Sequence, residues 1–169
     1  MKRKWVVLAE GISVPLGLAG LREMINAHPL FVHFPVALLT LSAIFYLFGA
    51  ATKKEGLIEA GRWTLYAGTL FAALSVWTGL RAEHTVELDA EGHEIVELHE
   101  KLGFVILAAS VGLSAWTMAA KAALPSKARA VFLAACALLV LILAQQADLG
   151  GRLVFLKGAG VGRKSMVSK

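Results

Sequence analysis

His28-Pro29-Leu30-Phe31-Val32-His33-Phe34-Pro35-Val36-Ala37-Leu38-Leu39 opens an apolar run that ends only at Lys53 and Lys54. Proline disfavours helical geometry at the residue before it and suits the first helical position itself. His28 is therefore expected on the cap of a helix, with His33 about one turn inside. Pro35 comes early enough to cost little hydrogen bonding, because the first N–H groups of a helix lack intrahelical partners anyway. The run from Pro29 to Ala51 has the length that a hydrocarbon core demands. An imidazole at the rim of such a helix is expensive without a partner, so both histidines are candidate site residues. The plainer alternative for His28 is a helix cap in the wet interface.

The rest of the composition agrees with a membrane setting. The chain has 169 residues, of which 57% are hydrophobic and 17% charged. That is one domain's length and too apolar for a soluble protein of this size. The net charge of +5 does not point to a nucleic-acid partner, because the basic residues flank apolar runs, as membrane orientation requires. Cys136 is the single cysteine, so an internal disulfide, a CxxC pair and a CxxCH haem attachment are all excluded. It reads as a small buried hydrophobe. Ser13, Ser42, Ser75, Ser110 and Ser114 lie in apolar runs without a nucleophile-elbow pattern, and no phosphate-cradling glycine loop is present. A binding or electron-transfer subunit is favoured over an enzyme, with a structural or assembly subunit of a membrane complex as the further alternative.

Three more runs follow. The second span is expected from Arg62 to Ala82, with Gly68, Ala72, Ser75 and Gly79 forming a small-residue stripe on which another helix or a flat ligand can lie close. Arg81 to Lys101 is an acidic connection, either a small hairpin or two helix extensions around the turn signal Asp89-Ala90-Glu91-Gly92. The third span begins near Leu98 or Leu102 and runs to Lys121, and the fourth runs from Ala128 to Ala147. Lys2, Arg3 and Lys4 before Trp5-Val6-Val7-Leu8 imitate a signal peptide. Glu10, Gly11 and Pro15 interrupt it, so residues 1–27 read as a retained amphipathic interfacial helix or a short, broken fifth helix. The fold class expected is all-α, an integral membrane four-helix bundle over residues 28–149, with that extra N-terminal helix. Residues 150–169 are expected to form a glycine-rich amphipathic tail folding back along the membrane or over the bundle mouth, ending in a basic stretch from Arg163 to Lys169.

Charge sets the orientation. Lys53, Lys54 and Arg62 flank the first connection, and Lys121, Lys127 and Arg129 flank the third, which places both in the cytoplasm. His28, His33, His84, His93 and His99 then share the periplasmic side of a bacterial inner membrane. Imidazoles from facing helices can hold haem iron or a metal ion. His33 and His99 are the expected axial pair for a b-type haem, with Gly79 and Gly103 giving the macrocycle room. Arg81 and Arg152 stand near its propionates, and Gln145, Gln146 and Asp148 are placed to orient an imidazole. The two histidines differ in expected depth by roughly 5–10 Å at the helical rise. The competing chemistry is a zinc, copper or iron ion on His28, His33, His84 and His99 with Glu83, Glu100 or Asp148. No HExxH-like spacing supports it. His93 reads as a solvated loop residue.

The opening motif resembles the HPxxVHFPxALL signature of a widespread family of bacterial four-helix membrane proteins, a domain of unknown function. Trp77-Thr78-Gly79-Leu80, Leu98-His99-Glu100-Lys101-Leu102-Gly103 and the stretch from Gly150 to Val161, read as GGxLVFxxGxGV, are similar to its later landmarks. The resemblance covers Asn26 to Val161. Relatives fused to cytochrome c or Rieske modules imply membrane electron transfer, with His33 and His99 as haem ligands and His28 as a possible substitute for either. The partner would be a separate cytochrome c, iron–sulfur protein or respiratory complex, and the chain itself a possible oligomer.

Overall fold

The computed structural model describes residues 5–7, 13–15, 24–120 and 125–160. Among the described residues four helices carry the chain: α1 (His28–Thr52), α2 (Glu55–Glu83), α3 (Ala90–Ala119) and α4 (Ser126–Phe155). α1 ends at Lys53, whose φ of 57° is left-handed, and α2 starts two residues later. The acidic connection is two helix extensions rather than a hairpin. Asp89 caps α3, its carboxylate accepting the Gly92 N–H at 2.8 Å. Asp, Gly and neighbouring polar residues serve a tight turn and a helix N-cap equally well, which is why the sequence left both open. α4 runs through Gly150 and Gly151 to Phe155, then closes with Gly158 in a left-handed conformation and the Ala159 N–H donating to the Leu153 carbonyl at 2.8 Å. Arg163 to Lys169 lie outside the described residues.

Each helix packs on its neighbours in sequence, and α4 closes on α1, so α1 and α3 stand diagonally across the bundle. The α1–α2 seam is the most extensive. α2 buries Gly61, Leu65, Gly68, Ala72, Ser75, Thr78 and Ala82, three or four residues apart. A Cβ on Gly61 would meet the Tyr46 ring at 3.1 Å, one on Gly68 would meet Leu39 at 2.7 Å, and one on Gly79 would meet His28 at 3.1 Å. The small residues let the two backbones approach along their whole length, the arrangement favoured where lipid supplies no hydrophobic drive.

The exterior is apolar and part of the interior is polar. Leu47, Phe48, Leu70, Leu138 and Leu141 are all more than half exposed, whereas Ser42, Ser75, Thr78, Ser110, Ser114 and Thr117 are buried. A protein arranged this way needs a hydrocarbon solvent. Among the described residues α1, α3 and α4 are long and apolar enough to cross a membrane. α2 is as long, but Glu55, Glu59, Arg62 and Arg81 lie in it. The inner apolar cluster joins Leu39, Tyr46, Leu65, Ile106, Leu113, Phe132, Cys136, Leu139 and Leu143, with Phe132 edge-on to Tyr46 and Trp116 at 4.7 and 5.7 Å.

The expected N-terminal fifth helix is not what the described part of that segment forms. Trp5–Val7 pairs antiparallel with Ser13–Pro15, Val6 opposite Val14. The reason lies in the residues: Trp, Val and Val suit a pleated strand, and proline is tolerated at a strand edge. The rest of residues 1–23 lies outside the described residues.

Candidate functional site

α1 begins at His28, whose backbone N–H donates to the Asn26 side-chain oxygen at 3.2 Å. The Asn26 amide in turn donates to Thr85 Oγ1 at 3.0 Å, tying the entrance of α1 to the end of α2. His28 therefore lies level with the last turns of α2. α3 starts well beyond that level, and His99 is nine residues into it, roughly 13 Å along its axis. The overhang of α2 and α3 lowers His99 to the depth of His28. The depth difference expected between His33 and His99 does not arise for this pair.

The two rings face one another across the bundle mouth, centroids 6.2 Å apart and planes at 88°. His28 Nδ1 lies 3.3 Å from Thr78 Oγ1. That hydroxyl already donates to the Leu74 carbonyl at 2.9 Å, so it accepts from the imidazole N–H. His99 Nδ1–H donates to the Gln146 carbonyl at 3.0 Å. The carbonyl can only accept, so His99 carries its proton on Nδ1, while His28 Nδ1 shares its hydrogen bond with a hydroxyl. An imidazole anchored through one nitrogen with the other left bare is the usual preparation of a metal ligand.

The separation allows a direct test of fit. A single metal atom bound by one nitrogen of each ring at about 2.0–2.1 Å holds the two centroids roughly 6.4 Å apart. The observed distance agrees, and imidazoles sharing a metal can rotate about their bonds to it, so perpendicular planes are compatible. The centroid separation matches a linear arrangement of two imidazoles about one metal atom, whereas a tetrahedral angle would bring the centroids to about 5.2 Å. The glycines expected to admit a porphyrin edge have other neighbours: Gly79 backs the His28 ring, and a Cβ on Gly103 would lie 3.3 Å from the Gln146 amide nitrogen. Gly150 backs the His99 ring in the same manner at 3.2 Å.

The remaining candidates stand apart. His33 is exposed, with Nδ1 on its own helix's Pro29 carbonyl at 2.7 Å. His84 caps the end of α2 and is exposed, and His93 is exposed and bonds the Asp89 carbonyl at 2.9 Å. Arg152 pairs with Asp148 at 2.9 Å, and Arg81 lies 4.5 Å from the Trp77 ring centre. Among the described residues no three His, Cys, Asp or Glu side chains come together as a metal site. Thr78 and Gly150 are the partners that sequence reasoning missed. Both sit inside quoted motifs, but nothing in the one-dimensional spacing says which imidazole they serve.

Beside the pair, the C-terminal turn is fastened over the mouth. Lys157, its side chain 13% exposed, donates to Asp89 at 2.9 Å and to Glu91 at 2.6 Å. The Lys157 ammonium, followed by the Gly92 N–H, holds the Asp89 carboxyl below its ordinary 3.8, and the two carboxylates hold Lys157 above its ordinary 10.5. A depressed acid stabilises the fold above its unfolded value and stops doing so as pH falls through the lower, folded one. A raised base does so below its unfolded value and stops as pH rises through the higher, folded one. The fastening is therefore intact across neutral pH, opening only in acid below Asp89's ordinary value or in strong alkali. Hydrogen exchange at the Gly158 and Ala159 amides, corrected for intrinsic pH dependence, should show this plateau. Lys157→Ala should speed exchange of both at pH 7, and unchanged protection would show that the turn holds without the lysine.

Taken together, these features define an integral membrane helical protein with a paired-imidazole site at one mouth. The chain belongs to a family described as predicted membrane proteins, DUF2231, which matches residues 24–163. No curated protein and no solved structure matches it.

Proposed function

We propose that this protein is a membrane electron-transfer subunit that binds b-type haem through His28 and His99. The observation that carries the reading is the pair itself: two imidazoles from diagonal helices, 6.2 Å apart, each anchored through Nδ1. Haem bound there would supply one-electron chemistry. The protein's own part is to hold both imidazoles by Nδ1, through Thr78 and the Gln146 carbonyl, and to back each ring with a glycine. His28 takes the role that the sequence reading gave first to His33, with His28 as its substitute.

The remaining finer assignments rest on charge and packing. α2 crosses as the fourth span, because it lies against α1 from Gly61 to Gly79 and so shares its depth. Lys53, Lys54, Lys127 and Arg129 put their mouth inside the cell, and the histidine mouth then faces the periplasm of a bacterial inner membrane. The acidic residues around that mouth, Glu83, Glu94 and Glu97 among them, favour a basic soluble partner such as a cytochrome c. A second reading, a copper, zinc or iron ion without porphyrin, is favoured by the glycines at 79 and 103 being covered by protein side chains.

An absorption spectrum of protein purified from haem-replete cells tests the proposal. A Soret band and a reducible α-band are expected. Colourless protein with stoichiometric metal would transfer the site to the second reading, and colourless, metal-free protein would remove both. A reporter enzyme in the connection 84–89 is expected to be active outside the cytoplasm, and activity inside it would reverse the orientation.

A further inference from the structure

His33 lies exposed on the outer face of α1, with Leu30 and Phe34 beside it, 47% and 44% exposed. The α1–α2 seam fixes its depth. Gly79 lies against His28, Gly68 against Leu39 and Gly61 against Tyr46, so the helices run antiparallel and His33 is level with Leu74. On α2, Trp63 and Trp77 are 64% and 53% exposed, as aromatic belts at the two membrane interfaces are. They stand roughly 21 Å apart at the helical rise, and a hydrocarbon core of about 30 Å centred between them puts His33 about 9 Å inside its edge.

The ring is only half satisfied there. His33 Nδ1 lies 2.7 Å from the Pro29 carbonyl, which can only accept, so the neutral ring carries its proton on Nδ1. Nε2 then presents a lone pair with no hydrogen-bond partner among the described residues. Lipid tails offer no donor, so a polar atom at this depth is costly to leave bare. Ionisable side chains within a span normally turn into the bundle or a water-filled cavity. His33 turns outward, and its partner must come from the bilayer.

The surroundings define that partner. It is dissolved in hydrocarbon, and it carries an O–H or N–H to donate. It also meets an aromatic wall, because Phe34 stacks on Phe71 of α2 with centroids 4.4 Å apart and planes 13° apart. A quinol, a hydroxylated ring on an apolar chain, has all three properties. His28 is five residues away on the same helix, roughly 9 Å between α-carbons, so a quinol at His33 is an electron donor beside the paired imidazoles. The choice of a quinol among lipid-soluble donors rests on the electron-transfer reading above.

We propose that His33 Nε2 is the docking point of a membrane-dissolved quinol, accepting a hydrogen bond from one ring hydroxyl while the ring lies beside Phe34.

Full-length protein with nitrogen-15 histidine, in nanodiscs of zwitterionic lipid, tests this by titration with decylubiquinol under reducing conditions. The His33 Nε2 resonance, identified by its loss in His33→Phe, should move upfield and saturate at one quinol per chain. The dimethyl ether of the same quinol, which lacks the O–H donors, should leave it in place. That comparison uses the unaltered chain, so no folding defect enters it. Tryptophan fluorescence quenching should show decylubiquinol bound about two- to tenfold more weakly by His33→Phe, the range of one hydrogen bond. A resonance that ignores the quinol, or answers quinol and ether alike, would overturn the proposal, as would equal affinity in wild type and His33→Phe. The outcome is separate from the absorption spectrum. Colourless protein that binds quinol keeps this site and removes the haem, whereas coloured protein that binds none keeps the haem and ends the proposal.

Discussion

His99→Ala is expected to abolish the Soret band or the bound metal outright, His28→Ala to do the same or leave a weak, high-spin remnant, and His33→Ala to leave either intact. The geometry makes the three unequal. His28 and His99 meet across the mouth, whereas His33 is exposed and bonded to its own helix. Removing one of the two proposed ligands would cost the site its closure, since no third His, Cys, Asp or Glu stands ready among the described residues. A smaller effect is expected from Thr78→Val, which keeps the shape but removes the acceptor for His28 Nδ1–H. Outer partners of ligating imidazoles typically contribute about 10–100-fold in metal affinity. Absorption and metal analysis of the four variants, with thermal unfolding alongside, give the answer. If His28→Ala and His99→Ala unfold earlier while cofactor content is unchanged, the imidazoles serve only the packing of the mouth. If His33→Ala alone loses cofactor, the site lies on the outer face of α1.

Much of this arrangement was legible from one dimension. Apolar runs bounded by Lys53 and Lys54, and by Pro125, announce the helices, and Pro29 announces the start of α1 at His28. The stripe Gly68, Ala72, Ser75, Gly79 correctly marked a face of close approach, now seen to be α1. What could not be read was relative depth. Whether His28 or His33 meets His99 depends on how far α2 and α3 overhang α1, a length set by the Asn26–Thr85 contact and by the Asp89 cap. Neither signal has a periodicity. At Trp5–Val7 and Ser13–Pro15 the difference has a related cause, since a few apolar residues after a basic cluster suit a strand as well as a helix, and only pairing decides.

Gly68→Ala is expected to destabilise the bundle by up to about 2 kcal/mol, the usual range of overpacking in a filled core less the gain from replacing a helical glycine. A methyl there would lie 2.7 Å from Leu39 Cδ2, 2.9 Å from its Cγ and 3.2 Å from its backbone nitrogen. Leu39 is 2% exposed and has no free volume to turn into, so the helices themselves must part. Gly112→Ala provides the control, because a Cβ on that glycine of α3 meets nothing within 4 Å. It should be neutral or slightly stabilising in the same thermal or denaturant assay in detergent. The bulkier Gly68→Leu should separate α1 from α2 more widely, and its effect should reach the histidines, because Gly79 holds the His28 ring at the end of the same seam. Cofactor retention should therefore fall with stability across Gly68→Ala and Gly68→Leu and stay level in Gly112→Ala. A Gly68→Leu protein as stable as wild type would mean that α1 and α2 do not meet along this stripe.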